Sequence, residues 1–369
     1  MYKKVEIRGF RGLRELRLSG LSRINLIIGL NNSGKSSILE ALSILHTSAN
    51  PRTLARIMLP RREFLASESS WRGNRVRLDI RRLFSGHEIR LGSKISCQSQ
   101  GDEGNRSLQL SIATSADNGA TTTTTLGPAQ IDLGDTLPGG QFLEVQATSD
   151  YAGETWGHTY LGMDGGLPVE LDANQLRDES EHKYGFVALT SPFSASLALG
   201  WSSVALTPQQ KTVEDALRLI EPDLEQIAFV QDATLPEGVF KVKLKNQSVP
   251  VPLGSMGEGM SRLLALIIGL VRSRNGILLV DEIDTGLHHS AMGSLWKAIL
   301  ETALKLNVQV FATTHSWDCV AALAQICGDQ SSVGEQNVAM HRVERGNPET
   351  ICYSEPEILS AIEQRIETR

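Results

Sequence analysis

Hydrophobic positions along the 369-residue chain change period from place to place, and each change marks an element. "KKVEIRGF" and "LRELRLSGL" alternate apolar with polar, so the chain opens as a β-hairpin. "RINLIIG" is a continuous apolar run of buried-strand type that ends in a glycine-rich turn. From Gly34 onward, Ile38, Leu39, Ala41, Leu42 and Leu45 recur at helical spacing, and "NPRTLARIMLP" predicts a short helix closed by Pro60. "RVRLDIRRLF", "HEIRLGSKISC" and "SLQLSIAT" return to period two and predict an antiparallel meander, with more short strands to about residue 162. Residues 113–140, with their threonine tract, hold little that could form a core and read as a mobile loop or edge strand.

"YGFVALTS" predicts a strand, and "TPQQKTVEDALRLIEPDL" a helix with Thr207 as N-cap and Pro208 in its first position. "IAFVQD", "GVFKVKLK" and "VPVPL" predict strands. The last third alternates in the α/β manner: helix 259–272, strand 276–281, helix 289–306, strand 308–313 and helix 317–327. A strand near 338–344 and a terminal helix over 355–367 follow. No internal repeat or heptad array interrupts the chain.

Composition adds two facts. With 41% hydrophobic and 21% charged residues the chain is of ordinary globular type. Its apolar runs near the C-terminal half reach only about nine residues, too short to span a bilayer, so no membrane partner is expected. The N-terminal stretch has no signal-peptide character, and Cys97, Cys319, Cys327 and Cys352 form no CxxC pair, so a reduced, cytoplasmic setting is expected. Net charge is −6 but lopsided: residues 1–100 hold 19 Lys/Arg against 7 Asp/Glu, and 101–250 hold 8 against 21. The basic first third, with Arg52, Arg56, Arg61, Arg62, Arg72, Arg75, Arg77, Arg81, Arg82 and Arg90 near Trp71, leaves open an anionic partner such as DNA, or an acidic protein.

Three segments carry the chemistry. "GLNNSGKSS" fits G-x-x-x-x-G-K-[ST] between a predicted strand and a predicted helix. Backbone N–H groups across Asn31, Asn32, Ser33, Gly34 and Ser37 can wrap a phosphate at the helix N-terminus. Lys35 reaches the β/γ oxygens, and the Ser36 hydroxyl can ligate Mg²⁺. "GILLVDEIDTG" ends an apolar strand in two carboxylates, which are costly there without a partner. Asp281 fits a magnesium ligand, through water, and Glu282 a general base for water attacking the γ-phosphate. "VQVFATTHS" ends a further strand in His315, one helix later and so on the same sheet edge, placed to contact the γ-phosphate and hold the water. Lys35, Glu282 and His315 are the catalytic candidates, with ATP and Mg²⁺ as ligands.

The order of P-loop, "SMGEG" before a helix, "LLVDE" and a strand ending in histidine resembles ATP-binding-cassette ATPases. "VEIRGFRGL…INLIIGLNNSGKSSILEAL" looks like the SMC/RecF branch, and "DEIDTGLHHS…LW…VQVFATTHS" is most similar to the ATPase part of OLD (overcoming lysogenization defect) proteins. The resemblance covers roughly residues 1–46 and 186–369. It implies an α/β P-loop NTPase head with a mixed central sheet and an antiparallel β-rich subdomain. The expected division is an N-terminal lobe over 1–60, a β-rich insertion over 61–185 and a C-terminal lobe over 186–369.

The resemblance also implies that Ser255, Gly257, Glu258 and Gly259 form a signature motif, which meets the nucleotide of an opposite subunit in a head-to-tail homodimer. Arg11, in "GFRGL", matches an arginine that contacts nucleotide in that branch. His288 stands where the D-loop usually has aspartate, and no glutamine among Gln98, Gln109 and Gln141 stands out as a Q-loop residue. Only 54 residues follow His315, too few for the Toprim nuclease of OLD proteins, so an effector in trans, a nuclease or toxin, is expected in phage or plasmid defence. A RecF-like repair clamp governed by ATP is the alternative, and an ATP-binding scaffold without turnover a third.

Overall fold

A computed structural model describes residues 1–65, 75–114, 141–149, 153–161, 165–170, 184–187, 193–232, 235–328 and 337–364. Its elements run β1 (Tyr2–Phe10), β2 (Leu13–Ser19), β3 (Ile24–Ile28), α1 (Lys35–His46), α2 (Pro51–Met58), β4 (Arg75–Asp79), β5 (Lys94–Gly101) and β6 (Gly104–Thr114). Then come β7 (Gln141–Ser149), β8 (Gly153–Tyr160), β9 (Gly166–Glu170), β10 (Tyr184–Val187), α3 (Phe193–Ser202), α4 (Pro208–Leu217), β11 (Leu224–Asp232), β12 (Leu235–Leu244) and β13 (Val251–Pro252). The last are α5 (Glu258–Arg272), β14 (Ile277–Val280), α6 (Met292–Leu306), β15 (Gln309–Thr313), α7 (Trp317–Gly328), β16 (Val338–Arg342), β17 (Ile351–Ser354) and α8 (Glu355–Glu363).

The chain folds as two compact units, and neither is continuous in sequence. The first takes residues 1–20, 32–178 and 344–350. Its antiparallel sheet has the order β2-β1-β5-β6-β7-β8, and α1 packs on β1, β5 and β6 through Ile38, Leu39 and Leu42. Within this unit β1, from the expected lobe 1–60, pairs with β5, from the expected insertion 61–185, Val5 opposite Ser99. The expected three-strand meander forms only in part. β4 leaves it to pair with β9, Val76 opposite Val169, and the next strand starts only at Lys94, after a turn at Gly92 (φ +81°). Most of the threonine-rich stretch, residues 115–140, lies outside the described residues.

The second unit takes residues 21–31, 179–343 and 351–369. Its sheet has the order β10-β14-β15-β3-β16-β17, parallel except for the edge strand β17. Apolar residues on both faces are what a covered parallel sheet requires, and β3, β14 and β15 are buried throughout. Ile24, Leu26, Val280 and Val310 point into one core with Leu263, Ile267 and Ile299 of α5 and α6. Thr207 caps α4, accepting from Gln209 N, with Pro208 in its first position. β11, β12 and β13 form a separate three-stranded sheet. The sequence pattern missed α3: "FSASLALGWS" is apolar or small all round, so no amphipathic period marks it, although Ser191 and Pro192 before it are a start signal.

Two buried polar features stand out. His341 on β16 is fully buried, and neither ring nitrogen has a hydrogen-bond partner among the described residues. Burial pulls its pKa down to about 4. In the first unit, Arg11 (6% exposed) forms ion pairs with Glu40 and Glu63, both at 2.6 Å, and Arg61 reaches the other Glu40 oxygen at 2.7 Å.

Candidate nucleotide-binding and catalytic site

In a parallel sheet all strands point one way, so the residues that follow them collect at one edge. In the second unit this edge gathers Gly29–Asn31 after β3, Asp281–Glu282 after β14 and Thr313–Ser316 at the end of β15. A cleft of about 250 Å³ opens there, lined by Gly29, Asn31, Thr314, His315, Trp317 and Val320 among others. His315 is exposed in it.

Asp281 and Glu282 are half-buried and held by a compact hydrogen-bond set. The Thr313 hydroxyl donates to Asp281 Oδ1 (2.6 Å) and accepts from Glu282 N (2.8 Å). The Thr314 hydroxyl donates to Asp284 Oδ1 (2.5 Å) and accepts from Ser316 N (3.0 Å). Thr285 Oγ1 donates to Glu282 Oε2 at 3.2 Å. Glu282 has φ +48°, a left-handed conformation rare for a side chain of this kind and costing on the order of 1–2 kcal/mol. Its main chain is met from the other side by Arg262, whose Nη2 donates to the carbonyls of Asp281 (2.8 Å) and Glu282 (3.1 Å). Arg262 is 1% exposed; burial lowers its pKa, opposed by the charges of Asp281, Asp284, Glu282 and Glu258.

Sequence reasoning missed Arg262, although a signal exists. The position shares the phase of Leu266 and Leu270, buried four and eight residues on, so an arginine falls in the core stripe of an apolar helix. Buried cations need anionic or carbonyl partners, and the strand with two carboxylates was already in view.

The P-loop passes from the second unit into the first between Asn31 and Asn32. Asn31 and Asn32 are exposed, Asn32 with φ +61°, while Ser36 and Ser37 are half-buried. Gly34 has φ +104°, a left-handed conformation that favours glycine, while a Cβ there would meet only the mobile end of the Leu13 side chain, at 2.7 Å from Cδ2. α1 starts at Lys35, which is buried, and the buried Ser33 Oγ has no hydrogen-bond partner among the described residues. An orphaned hydroxyl in a loop of this shape fits a bound phosphate oxygen.

Ser36 of the first unit and Asp281 of the second, the residues expected at magnesium, each offer the hard oxygen that ion prefers. Among the described residues no cluster of three His, Cys, Asp or Glu exists that would bind a metal by protein alone.

The signature segment forms a single 3₁₀ turn (Leu253–Met256), then Gly257 at φ +95°, then α5. Ser255, Gly257 and Glu258 are exposed, and Gly259 is half-buried. Among the described residues nothing stands within 4 Å of a Cβ built on Gly254 or Gly257. Arg11, expected at the nucleotide, instead has its guanidinium engaged by Glu40 and Glu63. Much of the basic stretch is likewise internally paired: Arg61 with Glu40, Arg81 and Arg82 with Asp79, and Arg90 with Glu88. Arg72 and Trp71 lie outside the described residues. All four cysteines are free thiols, and burial pushes Cys97 and Cys319 up to about 12.

Comparison with known proteins finds ATPase families. Residues 1–106 match the family described as AAA ATPase domain. Residues 168–318 match the family described as AAA domain, putative AbiEii toxin, Type IV TA system. An ATP/GTP phosphatase of Helicobacter pylori is 23% identical over 352 residues, 88% of each chain. The DNA replication and repair protein RecF of Thioalkalivibrio sulfidiphilus is 44% identical over 50 residues, 14% of each chain. Among solved structures, the SMC head domain from Thermotoga maritima aligns with a TM-score of 0.44 and 11% identity, covering 96% of this chain and 98% of that one. Among the described residues no helix is long and apolar enough to cross a membrane.

Proposed function

We propose that this chain is an ATPase of the P-loop, SMC/RecF-like ABC type that works as an ATP-dependent dimerisation switch. The P-loop, through Ser33, Lys35 and Ser36, holds the triphosphate, and Asp281 with Ser36 carries magnesium, which supplies charge neutralisation at the phosphates. Glu282 takes a proton from water as its oxygen attacks the γ-phosphorus; the bond to the β–γ bridging oxygen breaks, and ADP leaves with phosphate. His315 orients the water and the γ-phosphate. A second copy, docked head to tail, presents Ser255, Gly257 and the start of α5 to the same nucleotide.

The observation that carries this reading is the state of the signature segment. In this glycine-rich turn Ser255 and Gly257 are exposed, and among the described residues nothing stands within 4 Å of a Cβ built on Gly254 or Gly257. Close backbone approach by an anion held elsewhere is what such a surface permits. The experiment is sedimentation of the Glu282→Gln variant saturated with ATP and Mg²⁺: a dimer that disappears without nucleotide or with Ser255→Arg is expected, and monomers throughout would overturn the proposal.

The dimer is further proposed to control a separate effector in prokaryotic defence, a setting supported by the toxin–antitoxin description of the family matched by residues 168–318. Loss of protection against phage in cells carrying Glu282→Gln, with the protein still present, is the expected result. A RecF-like clamp is supported by the 50-residue match. It is weakened by the internal pairing of Arg61, Arg81, Arg82 and Arg90. Salt-sensitive DNA binding that accelerates ATP turnover would restore it.

A further inference from the structure

The peptide group joining Asp281 to Glu282 is gripped at both ends. Its carbonyl accepts from Arg262 of α5 at 2.8 Å, and its N–H donates to the Thr313 hydroxyl at 2.8 Å. The next carbonyl, that of Glu282, accepts from Arg262 as well. Between these contacts lies the left-handed residue Glu282, whose conformation has to be held by its surroundings to persist. Thr313 and Arg262 are 1% exposed, so water cannot replace either partner freely.

Arg262 also lies one turn from the exposed start of α5. That first turn is fitted tightly to the loop after Glu282: a Cβ on Gly259 would lie 2.8 Å from Leu287 Cδ2, and one on Gly286 would lie 3.1 Å from Glu258 Cγ. The start of α5 is thus in close contact with the segment 286–287 and one turn from Arg262. We infer that Arg262 and Thr313 are positioning residues that hold Glu282 ready for catalysis, and that Arg262 transmits contact at the signature end of α5 to Glu282 of the same chain. The inference rests on the reading of Glu282 as general base. Interior contacts of this kind switch between discrete arrangements rather than deforming smoothly, which suits a coupling device.

The test compares steady-state ATP hydrolysis of wild type, Arg262→Lys, Thr313→Val, Thr313→Ser and Glu282→Gln, with each of the first two variants also built on Glu282→Gln. Arg262→Lys keeps the charge but not the two-carbonyl reach, and Thr313→Val keeps the shape but not the hydroxyl. At least a tenfold fall in kcat is expected for both, with KM and ATP-driven association within threefold of wild type. Thr313→Ser restores kcat to within threefold, and neither change lowers the residual rate of Glu282→Gln further. Additive losses on Glu282→Gln, or kcat within twofold of wild type, would overturn the inference. If Arg262→Lys does not fold, the Thr313→Val and Thr313→Ser pair decides alone. Glu282→Gln hydrolysing at the wild-type rate would instead sink the assignment of the base, and the positioning role with it, whereas a dead Glu282→Gln with an active Thr313→Val sinks the positioning role only.

Discussion

Replacing His341 by leucine separates a buried titration from everything else in the chain. The imidazole is buried in β16 beside β3 and β17, and no described group hydrogen-bonds either nitrogen, so burial disfavours its charged form. The folded pKa of about 4 lies below the ordinary value of 6.5. Above pH 6.5 the ring is neutral in folded and unfolded chains, and it has no effect on the pH slope. As pH falls through 6.5, the unfolded chain takes up a proton that the folded chain refuses until about pH 4. A difference of roughly 2.5 units corresponds to about 3 kcal/mol lost below pH 4, of which about 2 kcal/mol is gone at pH 5. Urea unfolding of the chain, followed by tryptophan fluorescence at pH 7.5 and pH 5.0, measures this. Wild type should lose about 2 kcal/mol more than His341→Leu between the two conditions. Equal losses in the two proteins would show that His341 is paired or hydrated, and would refute the argument.

Four further outcomes follow from contacts already described. Ser255→Arg should abolish ATP-driven association and lower turnover at least about tenfold while nucleotide binding to the monomer stays within about twofold, as titration with a fluorescent ATP analogue would measure. Gly34→Ala should cost about 1–2 kcal/mol by thermal unfolding, because φ +104° opposes a Cβ while the Leu13 side chain can yield. Arg11→Ala should destabilise by about 3 kcal/mol, since Glu40 is left buried with fewer partners, yet change ATP affinity little; a large affinity loss without destabilisation would reinstate Arg11 as a nucleotide ligand. Lys35→Ala should eliminate ATP binding in the same titration while the circular-dichroism spectrum stays unchanged.

What could be read from the sequence was what local physics writes into it. "INLII", "ILLV" and "QVFAT" had to be covered strands, because apolar residues on both faces admit nothing else at that length, and the polar residues that end them marked the edge carrying Gly29, Asp281 and His315. Partners were not legible. Alternation in "RVRLDIRRLF" defines a strand without saying that Val76 will meet Val169, 93 positions later. The ion pairs of Arg11 were hidden for the same reason: Glu40 and Glu63 are distant in the chain, and a lone arginine in a hairpin turn has the same local signature whether it faces a phosphate or a carboxylate. Thr313 was visible as the end of β15, but its bridge to Glu282 exists only once β14 and β15 are side by side in register.

The position of β3 in its sheet has a consequence for synthesis on the ribosome. This strand is made within the first thirty residues, yet both of its neighbours, β15 and β16, come from beyond residue 308. Until those segments emerge from the exit tunnel, an apolar strand with two bare edges precedes the phosphate loop, a state prone to mispairing and to chaperone capture. Nascent chains stalled short of residue 342 should therefore be unable to retain nucleotide, and truncation there should cost solubility before it costs anything else.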